Sequence, residues 1–412
     1  MLQMLGCDLG SQGLKTILCD AKGNLIAAAS RSYPIEFPHP TWADQDPQYW
    51  VRALIETITE VLDHPKASRH KVKSIGLSSQ VDSVVPVDKD CKPLRKAIIW
   101  MDRRSVAECD WISERKSRDD IFHMTGLNLD ASHVGPKILW IKNNEPALYE
   151  RCHKLLLPGS FILFHLTGEY AVDYSNASST MIFDIRKRAW SNDLIEALQI
   201  DPNKLVDVFG ASESVGRILP GIARKTGLDP DTEVVVGSGD EHAATLGAGV
   251  VEEGYACDIV GTAEAVASIS KKILFDPTRL VETHCSWDDQ GWFIENPGFV
   301  SGGNYRWFRD HFAPVERKTA EALNLSEYQL LDLQAASIPA GSEGLIFLPC
   351  LMGAMVPEWN SLARGTLYGL TMKHSKAHVT RAILEASAYG LNDILLGMDK
   401  SGCKIREIRV VG

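Results

Sequence analysis

Two carboxylates, each placed where an apolar run gives way to glycines, carry the chemistry this chain could do. Asp8 lies in "GCDLGSQGLKTILCD" (6–20), with Ser11, Gln12 and Lys15 close behind it. Glycines at 10 and 13 would let main-chain N–H groups close on phosphate oxygens. Ser11 and Gln12 would add donors, Lys15 a positive charge, and Asp8 a ligand for hydrated Mg²⁺. The same residues also suit a plain hairpin, whose tight turn asks for positive φ. Asp240 follows Gly237, Ser238 and Gly239 in "EVVVGSGDEHAATLGAGV". A carboxylate there can accept the proton of an attacking hydroxyl, or it can cap the helix that "EHAATL" predicts. A third group, Trp100, Asp102, Arg103 and Arg104, stands just beyond the apolar "AII", where α/β proteins place ligand groups. A surface turn with a structural Arg–Asp pair is the equal alternative.

These residues need elements to position them. Alternation of Cys7 and Leu9, then Ile17 and Cys19, reads as two strands. Asp46 as N-cap and Pro47 at the first helical position open a helix whose apolar residues, Trp50, Leu54, Ile58, Val61 and Leu62, recur at helical spacing. "VKSIGLSS" reads as a strand that delivers Ser78, Ser79 and Gln80 to its end. Residues 186–233 look like polar connecting material ahead of a strand that feeds Asp240. "DIVGTAEAVASISKKI" echoes the first hairpin, with Gly261 and Thr262 at its turn but no lysine at the place of Lys15. "SGGNYRWF" reads as a helix start at which Gly302 and Gly303 allow close approach, with Trp307 and Phe308 in the core.

At 412 residues the chain exceeds what one hydrophobic core usually supports, so two domains are expected. Hydrophobic residues at 45% and charged residues at 23% fit an ordinary globular protein. The 43 basic and 53 acidic side chains leave a net charge of −10, and no basic run could track a nucleic-acid backbone. Nine cysteines without CxxC pairs fit reduced thiols and a cytoplasmic location. No stretch reaches the roughly 20 apolar residues of a membrane span, and "MLQMLGCDLG" lacks a signal peptide's basic leader and cleavage site. Neither nucleic acid nor membrane is an expected partner.

Taken together the motifs resemble the FGGY carbohydrate kinase family, most closely its xylulokinase-like members. The pieces are "DLGSQGLK", "TWADQDPQYW", "IIWMDRRS", "PKILW", "GSGDEHAATLGAG", "GTAEAV" and, most specific, "GTLYGLTMKHSKAHVTRAILE". In the last, Gly365, Leu367, Gly369, Leu370, His378, Val379, Ala382, Ile383, Leu384 and Glu385 fall at the spacing of the family's C-terminal signature. The N-terminal signature departs at Val134, where the family usually has Pro, Ser or Thr.

The resemblance implies an α/β protein of two actin-like, ribonuclease-H-like domains around a cleft: a sugar-binding domain over 1–245 and a nucleotide-binding domain over 246–412, the latter incomplete at its end. It implies an ATP-dependent kinase acting on a ketopentose or related polyol, with ATP and Mg²⁺. Asp240 becomes the general base and Asp8 the magnesium ligand. Ser11, Gln12, Lys15, Gly261, Thr262, Gly302, Gly303 and Gly412 line the nucleotide. Gln80, Val81, Asp82, Trp100, Asp102, Arg103, Asp240 and Glu241 form the sugar pocket. Related sequences commonly place an amide at the position of Glu241. A homodimer is left open. Two other functions compete: a catalytically silent sugar- or nucleotide-binding sensor of the same fold, and an actin- or chaperone-like ATPase.

Overall fold

The computed structural model describes residues 2–288, 290–351, 353, 354, 360 and 362–412. The chain divides into two compact units, one of Met1–Ala243 with His284–Trp292, the other of Ala244–Thr283 with Phe293–Gly412.

The first unit is built on a seven-stranded sheet. Its first strand, β1 (Gln3–Leu9), buries Gln3, Leu5, Cys7 and Leu9 on one face, and this period of two leaves Asp8 exposed on the other. It folds back through Ser11 and Gln12 into β2 (Gly13–Asp20), followed by β3 (Leu25–Ser32), both antiparallel. Helix α1 (Pro47–Leu62) begins as its sequence predicts: Asp46 accepts from the Gln48 N–H, and Pro47 needs no donor. Its buried stripe runs through Trp50, Leu54, Ile58 and Val61, and its Thr57 hydroxyl meets that of Thr16 at 2.7 Å.

Strand β4 (Val72–Ser79) lies parallel to β1. Among the helices that follow are α2 (Val134–Asn144) and α3 (Pro158–Thr167). Residues 186–233, read as connecting material, also supply a strand of the main sheet, β5 (Ser214–Arg217), antiparallel to β6 (Glu233–Val235). The apolar strand that feeds Asp240 is broken. Gly237, at φ 85°, separates β6 from β7 (Ser238–Gly239), and both pieces pair in parallel with β4. A Cβ at position 237 would lie 2.0 Å from the Leu77 carbonyl oxygen, so only glycine allows the break. Helix α4 (Asp240–Gly247) starts at once.

The second unit holds a five-stranded sheet formed by β8 (Tyr255–Val260), β9 (Ala263–Ser270), β10 (Glu282–Cys285), β11 (Trp292–Val300) and β12 (Glu407–Val411), in the spatial order β10-β11-β9-β8-β12. The expected second hairpin is present as antiparallel β8 and β9. Helices α5 (Gly302–Phe312) and α6 (Lys376–Ser401) complete the parts that matter for the site. Ala256, Val266, Ile294, Phe299, Ile394 and Met398 form one core cluster; Phe308, Leu331, Phe347, Ala382 and Ile383 form another. Phe308 is therefore core, as expected, but Trp307 is 36% exposed. The helix has one inward stripe, and position 307 falls beside it.

All nine cysteines are free thiols. Among the described residues no helix is long and apolar enough to cross a membrane.

Candidate active site

Sheet register decides where the carboxylates meet. In parallel strands β1, β4 and β7, Asp8 pairs with Ser78 and Ser78 with Ser238; one step on, Leu9 pairs with Ser79 and Ser79 with Gly239. The next residues along the same three chains are Gly10, Gln80 and Asp240. Asp8 and Asp240 thus emerge at the same carboxyl end of one sheet, two strand spacings apart, roughly 10 Å. Crevices at such ends are where open α/β sheets bind ligands.

Each carboxyl group is held. Asp8 accepts from the Ser78 hydroxyl at 2.8 Å and lies opposite Lys15 across the hairpin. Asp240 opens α4, and its Oδ1 accepts from the Glu241 N–H at 3.1 Å. Burial, then the negative charges of Glu241 and Asp8, push the Asp240 carboxyl well above the ordinary carboxylate range. Behind it, Gly239 donates its N–H to the Ser175 hydroxyl at 2.9 Å, and Asp173 fixes Ser175 and Asn176 as their helix cap. His242 is buried in the same first turn of α4 and sits well below its usual range, through burial first and then the neighbouring His284.

At the first hairpin the Gly10 N–H closes on the Gly13 carbonyl at 3.0 Å, leaving Ser11 and Gln12 at the tip. Trp100 donates its indole N–H to the Ser11 hydroxyl at 3.2 Å, and Arg103 is tied to the carbonyls of Trp100 and Asp102. Asp102 has no exposed surface; its carboxylate is engaged by the Ala43 N–H and by Arg104, whose guanidinium lies over Trp42 and Trp140 and also reaches Asp44. The structural Arg–Asp pair is therefore real, and Asp102 supports the loop that presents Trp100 and Arg103.

Gln80 is buried, donating from Nε2 to Gln45 at 3.2 Å while its Oε1 has no hydrogen-bond partner. Val81 packs so near Gly239 that a Cβ there would come within 2.8 Å of its Cγ1. Asp82 adopts φ 54°. Two residues that sequence reasoning left without a role hold it: Lys137 donates to the Asp82 carbonyl at 2.5 Å and to that of Ser132, and the His133 ring nitrogen lies 3.1 Å from the Asp82 carboxylate. Lys137 has no exposed surface, and burial brings its ammonium down to about 7, with Asp82 opposing the fall.

In the second unit, Gly261 and Thr262 stand exposed at the β8–β9 turn. The N–H groups of Ser301 and Gly303 both reach the Thr262 carbonyl, at 3.2 and 2.9 Å, and a Cβ on Gly302 would come within 2.4 Å of the Gly261 carbonyl oxygen. Arg306, on α5, donates to the Thr262 hydroxyl at 2.7 Å, a cation at a turn that has no lysine of its own. Gly412 lies against Val260, where a Cβ would come within 2.0 Å of the carbonyl oxygen. The turn, the start of α5 and Gly412 are thus brought together. Glu264, just beyond, is raised to about 7 by burial, against its hydrogen bond to Ser301.

Among the described residues no three His, Cys, Asp or Glu side chains converge as a metal cage. One exposed carboxylate beside hydroxyls suits Mg²⁺, which keeps most of its waters and shares phosphate oxygens.

Glycine-tipped hairpins in both units, and carboxylates at the strand ends of the first, are the parts of a phosphoryl-transfer enzyme. Residues 3–247 match the N-terminal domain of the FGGY family of carbohydrate kinases and residues 258–412 its C-terminal domain, so the chain belongs to that family. It is 29% identical over 408 residues to a xylulose kinase of Escherichia coli, covering 99% of this chain and 81% of that one. To a gluconokinase of Bacillus subtilis it is 31% identical over 396 residues, covering 96% and 76%. Among solved structures, the ligand-bound xylulose kinase of Lactobacillus acidophilus superposes with a TM-score of 0.90 at 26% identity, covering all of this chain and 81% of that one. The Plasmodium falciparum glycerol kinase with ADP shares the fold, with a TM-score of 0.86 at 22% identity, covering 99% and 81%.

Proposed function

We propose that the protein transfers the γ-phosphate of ATP to a hydroxyl of a ketopentose or related polyol. The observation that carries this reading is the register placing Asp8 and Asp240 at the carboxyl ends of two strands that flank β4, with Asp240 shielded enough to have its affinity for protons raised. An alcohol attacks phosphorus poorly until its proton is taken, and a carboxylate within hydrogen-bond reach can take it as the new P–O bond forms. The bond to the β-phosphate oxygen breaks, ADP leaves, and Asp240 later releases the proton to water. In the first unit Ser11, Gln12 and Lys15 serve as nucleotide contacts; in the second, Gly261, Thr262, Gly302, Gly303 and Gly412 do. Gln80, Val81, Asp82, Trp100, Arg103 and Glu241 hold the sugar, with Asp102 behind them. Asp8 would hold Mg²⁺, which supplies charge neutralisation on the phosphates. The first unit is thereby the sugar-binding domain and the second the nucleotide-binding domain, in a cytoplasmic enzyme.

Relatives named for xylulose and for gluconate match about equally well, so identity does not choose the sugar. The test is sugar-dependent ADP release. Turnover with at least one sugar, falling about 10²–10⁴-fold in Asp240→Asn with little change in sugar KM, is expected. ATP hydrolysis indifferent to every sugar, or an unaffected Asp240→Asn variant, would sink the reading.

A further inference from the structure

Resting on that kinase reading, we propose that Ser175 and Asp173 are positioning residues for the reaction: joined in one hydrogen-bonded chain, they fix the backbone that aims the Asp240 carboxylate. The strand that delivers the base cannot fix itself. Asp240 follows Gly237, Ser238 and Gly239, and glycine restrains its own φ and ψ least of all residues. Gly239 has no stiffer substitute, because a Cβ there would come within 2.8 Å of Val81 Cγ1. Its strand, β7, is two residues long. The backbone directly ahead of the base thus depends on contacts from outside its own strand.

Ser175 supplies that contact. It has no exposed surface, and its Oγ accepts from the Gly239 N–H at 2.9 Å. A serine hydroxyl has one proton to give, and this one goes to Asp173 Oδ1, which leaves the oxygen's lone pairs for Gly239. The chain from the Gly239 N–H through the Ser175 hydroxyl to Asp173 therefore runs in one direction, each bond polarising the next. Asp173 is itself locked. Its Oδ1 also accepts from the N–H groups of Ser175 at 2.8 Å and Asn176 at 3.0 Å, and its Oδ2 from the Asn176 amide at 2.6 Å. Ser178, three residues on, is a matched comparison: equally buried, it accepts from the Cys285 N–H at 3.0 Å, a residue outside the strand that carries Asp240. Its own proton goes to the Ser175 carbonyl, which the Ser179 N–H also serves.

The experiment measures sugar-dependent ADP release by the full chain, with kcat and KM separated, for Ser175→Ala, Asp173→Asn and Ser178→Ala, and for Ser175→Ala combined with Asp240→Asn. Ser175→Ala leaves the Gly239 N–H without its acceptor. It is expected to lower kcat about 10- to 100-fold with both KM values within about 3-fold, since a base displaced by about an ångström loses rate rather than binding. Asp173→Asn keeps an oxygen for Ser175 but removes the charge, so a fall in kcat of about 3- to 10-fold is expected. Ser178→Ala should keep kcat within about 2-fold. Once Asp240→Asn has removed the base there is nothing left to aim, so adding Ser175→Ala should cost less than about 3-fold more. The inference is overturned, and the kinase reading left standing, by any of four results: an unchanged kcat in Ser175→Ala, a fall carried by KM alone, an equal loss in Ser178→Ala, or losses that multiply in the double variant. No turnover with any sugar, or an unaffected Asp240→Asn enzyme, removes the kinase reading and this inference with it. Should Ser175→Ala fail to fold, Asp173→Asn decides, alone and combined with Asp240→Asn; should turnover of Asp240→Asn lie below detection, the Ser178→Ala comparison decides.

Discussion

Asp240 must be ionised to accept a proton, yet burial, Glu241 and Asp8 all favour its protonated form. Its folded pKa lies above the ordinary value, so activity is lost as pH falls through that raised pKa and regained as pH rises above it. The acid limb of the kcat/KM profile should therefore sit well above the range in which an ordinary carboxylate titrates. Glu241→Gln, which removes the stronger of the two neighbouring charge effects, should move that limb to lower pH; a limb that stays put would show that another group sets it. Asp8 and Asp240 were legible as candidates because each follows an apolar run and borders glycine, a local pattern. Lys137 and His133 were not. Lys137 sits in "GPKILW" among apolar residues, and nothing local says that its ammonium is buried between the carbonyl of Ser132, five residues back, and that of Asp82, 55 residues away. Asp102 was ambiguous in sequence between ligand and structural pair, and only its contacts with Ala43 and Arg104 decide for support.

At the scale of elements, the break between β6 and β7 aims Asp240. A Cβ at Gly237 would meet the Leu77 carbonyl at 2.0 Å, and its φ of 85° already disfavours any side chain. Gly237→Ala should cost about 2–4 kcal/mol in denaturant unfolding and lower kcat at least as much as Asp240's misplacement demands. Gly23→Ala is the control: its φ is 80° but nothing lies within 4 Å, so about 1 kcal/mol and full activity are expected. Equal effects would mean that the break has no special role. The strand before Asp240 was legible, but not its interruption, because "VVVGSG" reads equally well as a run that ends or one that resumes. The C-terminal signature illustrates the reverse. Its spacing was plain in sequence, yet the structure gives several of its residues packing tasks: Ala382 and Ile383 are core, Gly369 turns at φ 88°, and Glu385 holds the Gly341 N–H and Ser342.

For the whole molecule, a net charge of −10 repels a nucleotide at long range, so affinity must come from donors acting within a few ångströms. Two units were expected from length alone. The return of His284–Trp292 to the first was not, because nine residues amid the second unit's sequence carry no compositional mark. This division separates the proposed ligands in a way hydrogen exchange can read. A sugar should slow exchange at 80–82, at 100–104 and at the start of α4. A non-hydrolysable ATP analogue with Mg²⁺ should slow it at 10–13, at the Gly261–Thr262 turn and at 301–304. At a free ligand concentration a hundred times Kd, openings that forbid binding become about 100-fold rarer. The amides of Ser301 and Gly303 already close on Thr262, so their protection should rise from a measurable base rather than from full exposure. Protection of the Gly261–Thr262 turn by sugar alone, with 80–82 unchanged, would reverse the assignment of the two units and with it the roles given to every residue in them.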